Sequence, residues 1–270
     1  MSKIDFISET DFEAAIRHVV SAIDSAKEFE ESINQQLVAG GDIFKSSLFS
    51  NSVDPFLMKF GMSLLSREEW LITEVNRQLN KTFEQRIGEF HQKVLGSVDG
   101  WVDLGIGDDS KVDLFNKEKN IYMELKNKFN TTNGDSLDKV HDKLLAVLEQ
   151  DAKATAFYGF IVPDSVKKQG SSLWVKGRKK IGHKKGDKLE KIENSRLYRI
   201  WGADVYRLVT GDAQNLHKTY EAIAPTIESM KLGQDSLSGI GKRICDSLVE
   251  HIDDIEERIF YSTVADSVEK

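Results

Sequence analysis

The stretch Lys111-Val-Asp-Leu-Phe-Asn-Lys-Glu-Lys-Asn-Ile-Tyr-Met-Glu-Leu-Lys126 decides the fold. Its two ends alternate apolar and polar residues, and Asn116-Lys-Glu-Lys-Asn120 between them is a polar turn, so the spacing predicts a β-hairpin. Side chains alternate across a strand, so Glu124 and Lys126 share one face with Tyr122, while Ile121, Met123 and Leu125 make the apolar face. Folding the hairpin back puts Asp113 beside Glu124. Two carboxylates and a lysine in that arrangement suit a divalent cation such as Mg²⁺, which takes one or two carboxylates plus a substrate phosphate and activates water. The chain holds three acidic-x-Lys tripeptides, Asp109-Ser-Lys111, Glu124-Leu-Lys126 and Asp151-Ala-Lys153. Only Glu124-Leu-Lys126 lies in an alternating strand that follows another strand bearing an acid. The plainer alternative is an ordinary ion pair on a solvent-facing strand, and the tripeptide alone does not decide between the two.

Working outward, Trp101–Ile106 is expected to be a strand and Gly107–Ser110 a turn, so the hairpin grows into a three-strand meander. A long helix precedes it from Ser66, with Ser66 as cap and Ile72, Val75, Leu79, Phe83, Ile87, Phe90 and Val94 as its apolar stripe. Glu84 and Glu89 lie off the centre of that stripe; either could reach a metal held at the hairpin, or simply be solvated. After a polar loop, a helix from Ser136 carries Leu137, Val140, Leu144 and Leu148, and Ala154–Val162 is a strongly apolar strand. Leu197–Ile200 and Val205–Val209 read as a further strand pair turning at Gly202. Residues 1–40 read as helical, 43–65 resist assignment, and Leu216–Met230 and Ile240–Phe260 read as closing helices. The order predicts a mixed α/β fold, a central mixed sheet flanked by helices, with added helices at both ends. One elaborated domain is expected over residues 1–270, with a helical part to about residue 65, a core over 66–165 and a basic C-terminal part from 166. Ser238-Gly-Ile-Gly-Lys-Arg243 could offer a phosphate its backbone N–H groups, though a plain helix start capped by Ser238 explains it equally.

The 270 residues are 40% hydrophobic and 30% charged, an ordinary soluble composition with no apolar run near the ~18 residues of a membrane span. The start, Met1-Ser-Lys-Ile-Asp-Phe6, has neither the basic nor the apolar part of a signal peptide. A single cysteine, Cys245, excludes an internal disulfide, and the six histidines lack zinc-like spacing. A cytoplasmic location is expected. The net charge of −7 would disfavour nucleic acid, but its distribution reverses that. Between Lys167 and Arg199 stand twelve Lys and Arg against Asp187, Glu190 and Glu193, a local balance of +9. Such a run, broken by glycines, is either a solvated loop or the electrostatic footprint of phosphate binding.

Asp113…Glu124-Leu-Lys126, set in this order of elements, resembles the PD-(D/E)xK nuclease superfamily. Three longer strings, Gly88-Glu-Phe-His-Gln-Lys-Val-Leu-Gly96, Glu124-Leu-Lys-Asn-Lys-Phe-Asn-Thr-Thr-Asn-Gly134 and Trp201-Gly-Ala-Asp-Val-Tyr-Arg-Leu-Val-Thr-Gly211, are similar to type II restriction endonucleases that cut GGNCC- or GGWCC-type sites. Val112 stands where the superfamily's name has proline, a position that is not a metal ligand. The resemblance implies a PD-(D/E)xK restriction-endonuclease-like core and a homodimer acting on double-stranded DNA. It also implies Mg²⁺ (with Mn²⁺ able to substitute), 5′-phosphate and 3′-hydroxyl ends, and a cognate DNA methyltransferase as genetic partner. It makes Asp113, Glu124 and the Leu125 carbonyl metal ligands and Lys126 the residue that orients or helps deprotonate the attacking water. For DNA contacts, Asn127, Lys128, Asn130, Thr131 and Asn133 follow the catalytic strand, and Arg178, Lys179, Lys180, Lys184 and Lys185 lie in the basic loop. Two readings stand beside it, a repair or junction-resolving nuclease on the same fold, and a non-catalytic DNA-binding protein.

Overall fold

The meander forms as its alternation predicts. β1 (Trp101–Asp103), β2 (Leu114–Asn116) and β3 (Ile121–Lys128) pair antiparallel, with Leu114 opposite Met123 and Asn116 opposite Ile121. The Asn116 side chain accepts the Lys119 N–H at 2.9 Å, and Asn120 takes a left-handed φ of 53°, which closes the hairpin. The computed structural model describes residues 4–40, 53–105, 112–129, 134–165, 167–178, 190–231 and 235–263. The first two strands are shorter than expected. Leu104 and Gly105 lie outside β1, and the chain bends at Asp113 before β2 begins.

The chain divides into two compact units, Met1–Ile16 with Ile87–Ser229, and Arg17–Arg86 with Met230–Lys270. The first holds a six-stranded sheet in the order β1-β2-β3-β4-β8-β5. β3 pairs parallel with β4 (Thr155–Val162), and β4 with β8 (Leu197–Trp201). β5 (Ser171–Leu173) lies antiparallel on the far edge of β8, and β6 (Lys176–Arg178) and β7 (Glu190–Ile192) form a separate two-stranded ribbon. Parallel neighbours need a crossover, and α4 (Gly134–Gln150) supplies it between β3 and β4. Val140, Leu144, Val147 and Leu148 of α4 are buried together with Ala156, Tyr158 and Leu197 of the sheet. On the opposite face a Cβ on Gly159 would meet Leu125 at 3.1 Å and Val205 at 3.5 Å, so that glycine lets α5 (Ala203–Thr210) approach β4 closely.

That helix corrects one expectation. Val205–Val209 is helical, not the second strand of a pair. Gly202, at φ +56°, turns the chain out of β8, Asp204 and Arg207 form an ion pair one turn apart, and Val205, Tyr206 and Val209 are buried at helical spacing. α6 (Asn215–Ser229) follows.

The second unit is helical. It draws on α1 (Glu9–Val38) and α3 (Arg67–Gly96), both of which the division cuts, and holds α2 (Pro55–Leu64), α7 (Leu237–Leu248) and α8 (Ile252–Thr263). Ser66 caps α3 as expected, accepting the Glu69 N–H at 3.1 Å while Glu69 returns a bond to the Ser66 N–H at 2.9 Å. Ile72, assigned to the buried stripe, is 47% exposed, and Leu71 is buried in its place beside Trp70 and Val75. The expected single helix over Ile240–Phe260 is two helices separated by a 3₁₀ turn, Val249–His251. Its cap is Ser236 rather than Ser238, and a Cβ on Gly241 would lie 2.7 Å from Asn76 Oδ1. Gly241 therefore serves close helix packing. No described helix is long and apolar enough to cross a membrane.

Candidate active site

The strand register brings the hairpin acids together. Asp113, the residue before β2, stands beside Glu124 of β3, and its Oδ2 accepts the Leu125 N–H at 2.7 Å. A strand residue directs its N–H and C=O toward the same neighbour, so the Leu125 carbonyl also faces the Asp113 side. Glu124 is 4% exposed beneath α4. A carboxylate so buried needs compensation, and two ammonium groups supply it. Lys126 Nζ donates to Oε1 at 2.8 Å, and Lys143 Nζ of α4 donates to Oε2.

The electrostatics follow from crowding. Burial and the Glu124 carboxylate raise the Asp113 carboxyl to about 6, against the lowering effect of the Leu125 N–H, Lys126 and Lys143. Burial alone would lower Lys126, but Glu124, Asp113 and the Tyr158 phenol outweigh it and keep the ammonium charged. Two adjacent acids that repel one another, offset only by lysines, form a donor set that a hard divalent cation fits. Among the described residues, no group of three or more His, Cys, Asp or Glu gathers as a fuller metal cage. Neither Glu84, exposed on α3, nor Glu89, half-buried further along it, belongs to such a group.

Lys143 is the residue that sequence reasoning missed. It lies three after Val140 and four before Val147, hence on the face that α4 turns to the sheet. The signal was available, because a crossover helix between β3 and β4 must cover one of the two sheet faces.

The expected DNA contacts separate by position. Asn127 is half-buried and Lys128 exposed at the end of β3. Asn130, Thr131, Asn133, Lys179, Lys180, Lys184 and Lys185 lie outside the described residues, as does the side chain of Arg178, whose backbone is in β6. Several members of the basic run are committed within the protein. Lys176 pairs with Asp138 at 3.0 Å and Lys168 with Asp164 at 2.9 Å. Arg196 caps the end of α4 by donating to the carbonyls of Leu148, Asp151 and Ala154 at 2.7–2.8 Å.

The other two strings that carried the resemblance meet in the first unit, where His91 Nδ1 lies 2.8 Å from the Tyr206 hydroxyl. A central mixed sheet flanked by helices, with two acids and a lysine gathered at β3, is an architecture consistent with the restriction-endonuclease fold. The family model of the Eco47II restriction endonuclease matches residues 4–231, and the chain belongs to that family. It is 33% identical over 246 residues to the type II restriction enzyme Eco47II of Escherichia coli, covering 88% of this chain and 93% of that protein. To the type II restriction enzyme Sau96I of Staphylococcus aureus it is 28% identical over 166 residues, 61% of each chain.

Proposed function

We propose that this chain is the nuclease of a restriction–modification system, a homodimer cutting double-stranded DNA at a GGNCC- or GGWCC-type site and leaving 5′-phosphate and 3′-hydroxyl ends. As a member of a type II restriction endonuclease family it is a site-specific deoxyribonuclease. Membership favours restriction over junction resolution or binding without catalysis. The cofactor is Mg²⁺, with Mn²⁺ as substitute, the setting is the cytoplasm, and a cognate DNA methyltransferase protects the host genome. The whole chain acts as one enzyme.

The observation that carries the chemistry is the gathering of Asp113, just before β2, with Glu124 and Lys126 of β3. Asp113, Glu124 and the Leu125 carbonyl would hold the metal. When bound, it would lower the cost of forming hydroxide and shield charge on the phosphorane-like transition state. The Leu125 N–H fixes the Asp113 carboxylate, so its orientation is set before substrate arrives. Lys126, held as an ammonium, orients the attacking oxygen and meets the charge that develops on the phosphoryl oxygens. Lys143 is a positioning residue that holds the second Glu124 oxygen. The DNA contacts proposed are Asn127, Lys128, Asn130, Thr131 and Asn133, with Arg178, Lys179, Lys180, Lys184 and Lys185 from the basic loop.

Asp113→Asn, Glu124→Gln and Lys126→Ala test this together. Each should lose cleavage by at least about 10²-fold while duplex binding persists. Retained cleavage in any one would remove that residue from the reaction.

A further inference from the structure

The catalytic row does not end at Glu124. The register carries it across the sheet from Glu124 to Tyr158 of β4, then to Arg199 of β8 and Ser172 of edge strand β5. Residues in register on neighbouring strands point to one face, so Arg199 shares a face with both acids. At a spacing of about 4.8 Å per strand, it lies about 10 Å from Glu124. The Tyr158 phenol between them acts electrostatically on Lys126 and on Arg199 alike.

Arg199 differs from the other cations of its run. Its guanidinium carbon sits 4.6 Å above the ring of the buried Trp174, which also stacks on Tyr158 at 4.9 Å. Its Nε is buried without a hydrogen-bond partner, and burial lowers its affinity for a proton. No carboxylate among the described residues pairs with it, whereas Lys168, Lys176 and Arg196 are all engaged. A half-buried cation whose Nε lacks a partner carries a desolvation cost, which an anion meeting the guanidinium would offset. Aromatic stacking holds the planar fork in place beforehand, and such a fork suits phosphate oxygens.

We propose that Arg199, held against Trp174, binds a backbone phosphate flanking the scissile one in the strand being cut. The inference rests on the nuclease reading above. A half-buried guanidinium held 4.6 Å over the Trp174 ring, in register with Glu124 two strands away, is placed for a phosphate beside the catalytic acids, and less for a base edge deep in a groove.

The test is equilibrium binding of the full-length chain to a duplex containing its mapped site and to an unrelated duplex, in EDTA so that both stay intact. Arg199→Ala should reduce the slope of log affinity against log salt by about one and weaken both duplexes by a similar factor. Arg199→Lys should restore the slope. A methylphosphonate at the flanking phosphate should weaken wild type and leave Arg199→Ala unaffected. Arg199→Gln, which keeps the stem on Trp174, replaces the alanine variant if that one fails to fold. An unchanged slope overturns the proposal, as does a loss confined to the specific duplex and indifferent to methylphosphonate, which would make Arg199 a base reader. A wild type that binds no duplex overturns the nuclease reading itself, a result distinct from either.

Discussion

Lys143→Met removes one of the two ammonium groups on Glu124 while keeping an unbranched apolar side chain at that position of α4. Breaking a buried ion pair by deleting one partner costs roughly 3–5 kcal/mol. Here the Lys143 side chain is 22% exposed and Lys126 stays on the other oxygen at 2.8 Å. Solvent screening and the remaining lysine reduce the expected loss to about 1–2 kcal/mol in the metal-free protein. For a unit of this size that lowers Tm by about 2–8 °C. A divalent cation brings positive charge to the same carboxylate, so it should compensate for the missing ammonium. Mg²⁺ at 100-fold over its Kd contributes about 2.7 kcal/mol by linkage. It should bind the variant more tightly than wild type, where Lys143 competes for Glu124. The assay is thermal denaturation of both proteins in EDTA and in rising Mg²⁺. The expected result is a deficit in EDTA that closes with metal. Equal melting in EDTA, or equal stabilisation of both proteins by Mg²⁺, would refute the reasoning.

Other consequences follow from single residues. Burial lowers His91 from its ordinary 6.5 to about 4. Between those values the unfolded chain binds the extra proton, so the contribution is whole above pH 6.5 and falls as pH drops, by up to about 3 kcal/mol at pH 4. His91→Gln should flatten that part of the stability–pH curve relative to wild type, and an identical slope in urea titrations would contradict it. Cys245 is buried and burial raises its thiol to about 11, so it should resist alkylation at pH 8 until urea unfolds the chain; rapid native labelling would argue otherwise. Arg196→Ala removes the guanidinium donor from the carbonyls of Leu148, Asp151 and Ala154, of which Asp151 keeps the Ala154 N–H, and should destabilise by about 1–3 kcal/mol, measured as a lower urea midpoint. A shift below about 0.5 kcal/mol would show that water replaces the guanidinium.

The parts of the fold that were legible in sequence are those where one local pattern had one reading. Alternation around Asn116–Asn120 gave the hairpin, and the apolar run ending at Pro163 gave β4. Val205–Val209 misled because five apolar-rich residues fit a strand or a buried helix turn, and only the left-handed Gly202 and the Asp204–Arg207 pair decide. The break at Val249–His251 carries no glycine or proline to mark it. In the site, Asp113, Glu124 and Lys126 could be read because they belong to one hairpin. Lys143 was legible only in its helix face, three after Val140 and four before Val147, and Arg199 not at all, since its placement depends on the order of β4 and β8. The count of basic residues over 167–199 pointed toward nucleic acid but could not tell Arg196, spent on helix carbonyls, from Arg199.

The central claim is tested most directly by digesting unmethylated phage DNA with the wild-type chain in Mg²⁺, beside an EDTA control and Lys126→Ala. The account predicts discrete fragments from wild type with metal alone, with 5′-phosphate ends that map to one recurring sequence. Intact DNA in every lane, despite salt-sensitive binding, would contradict it.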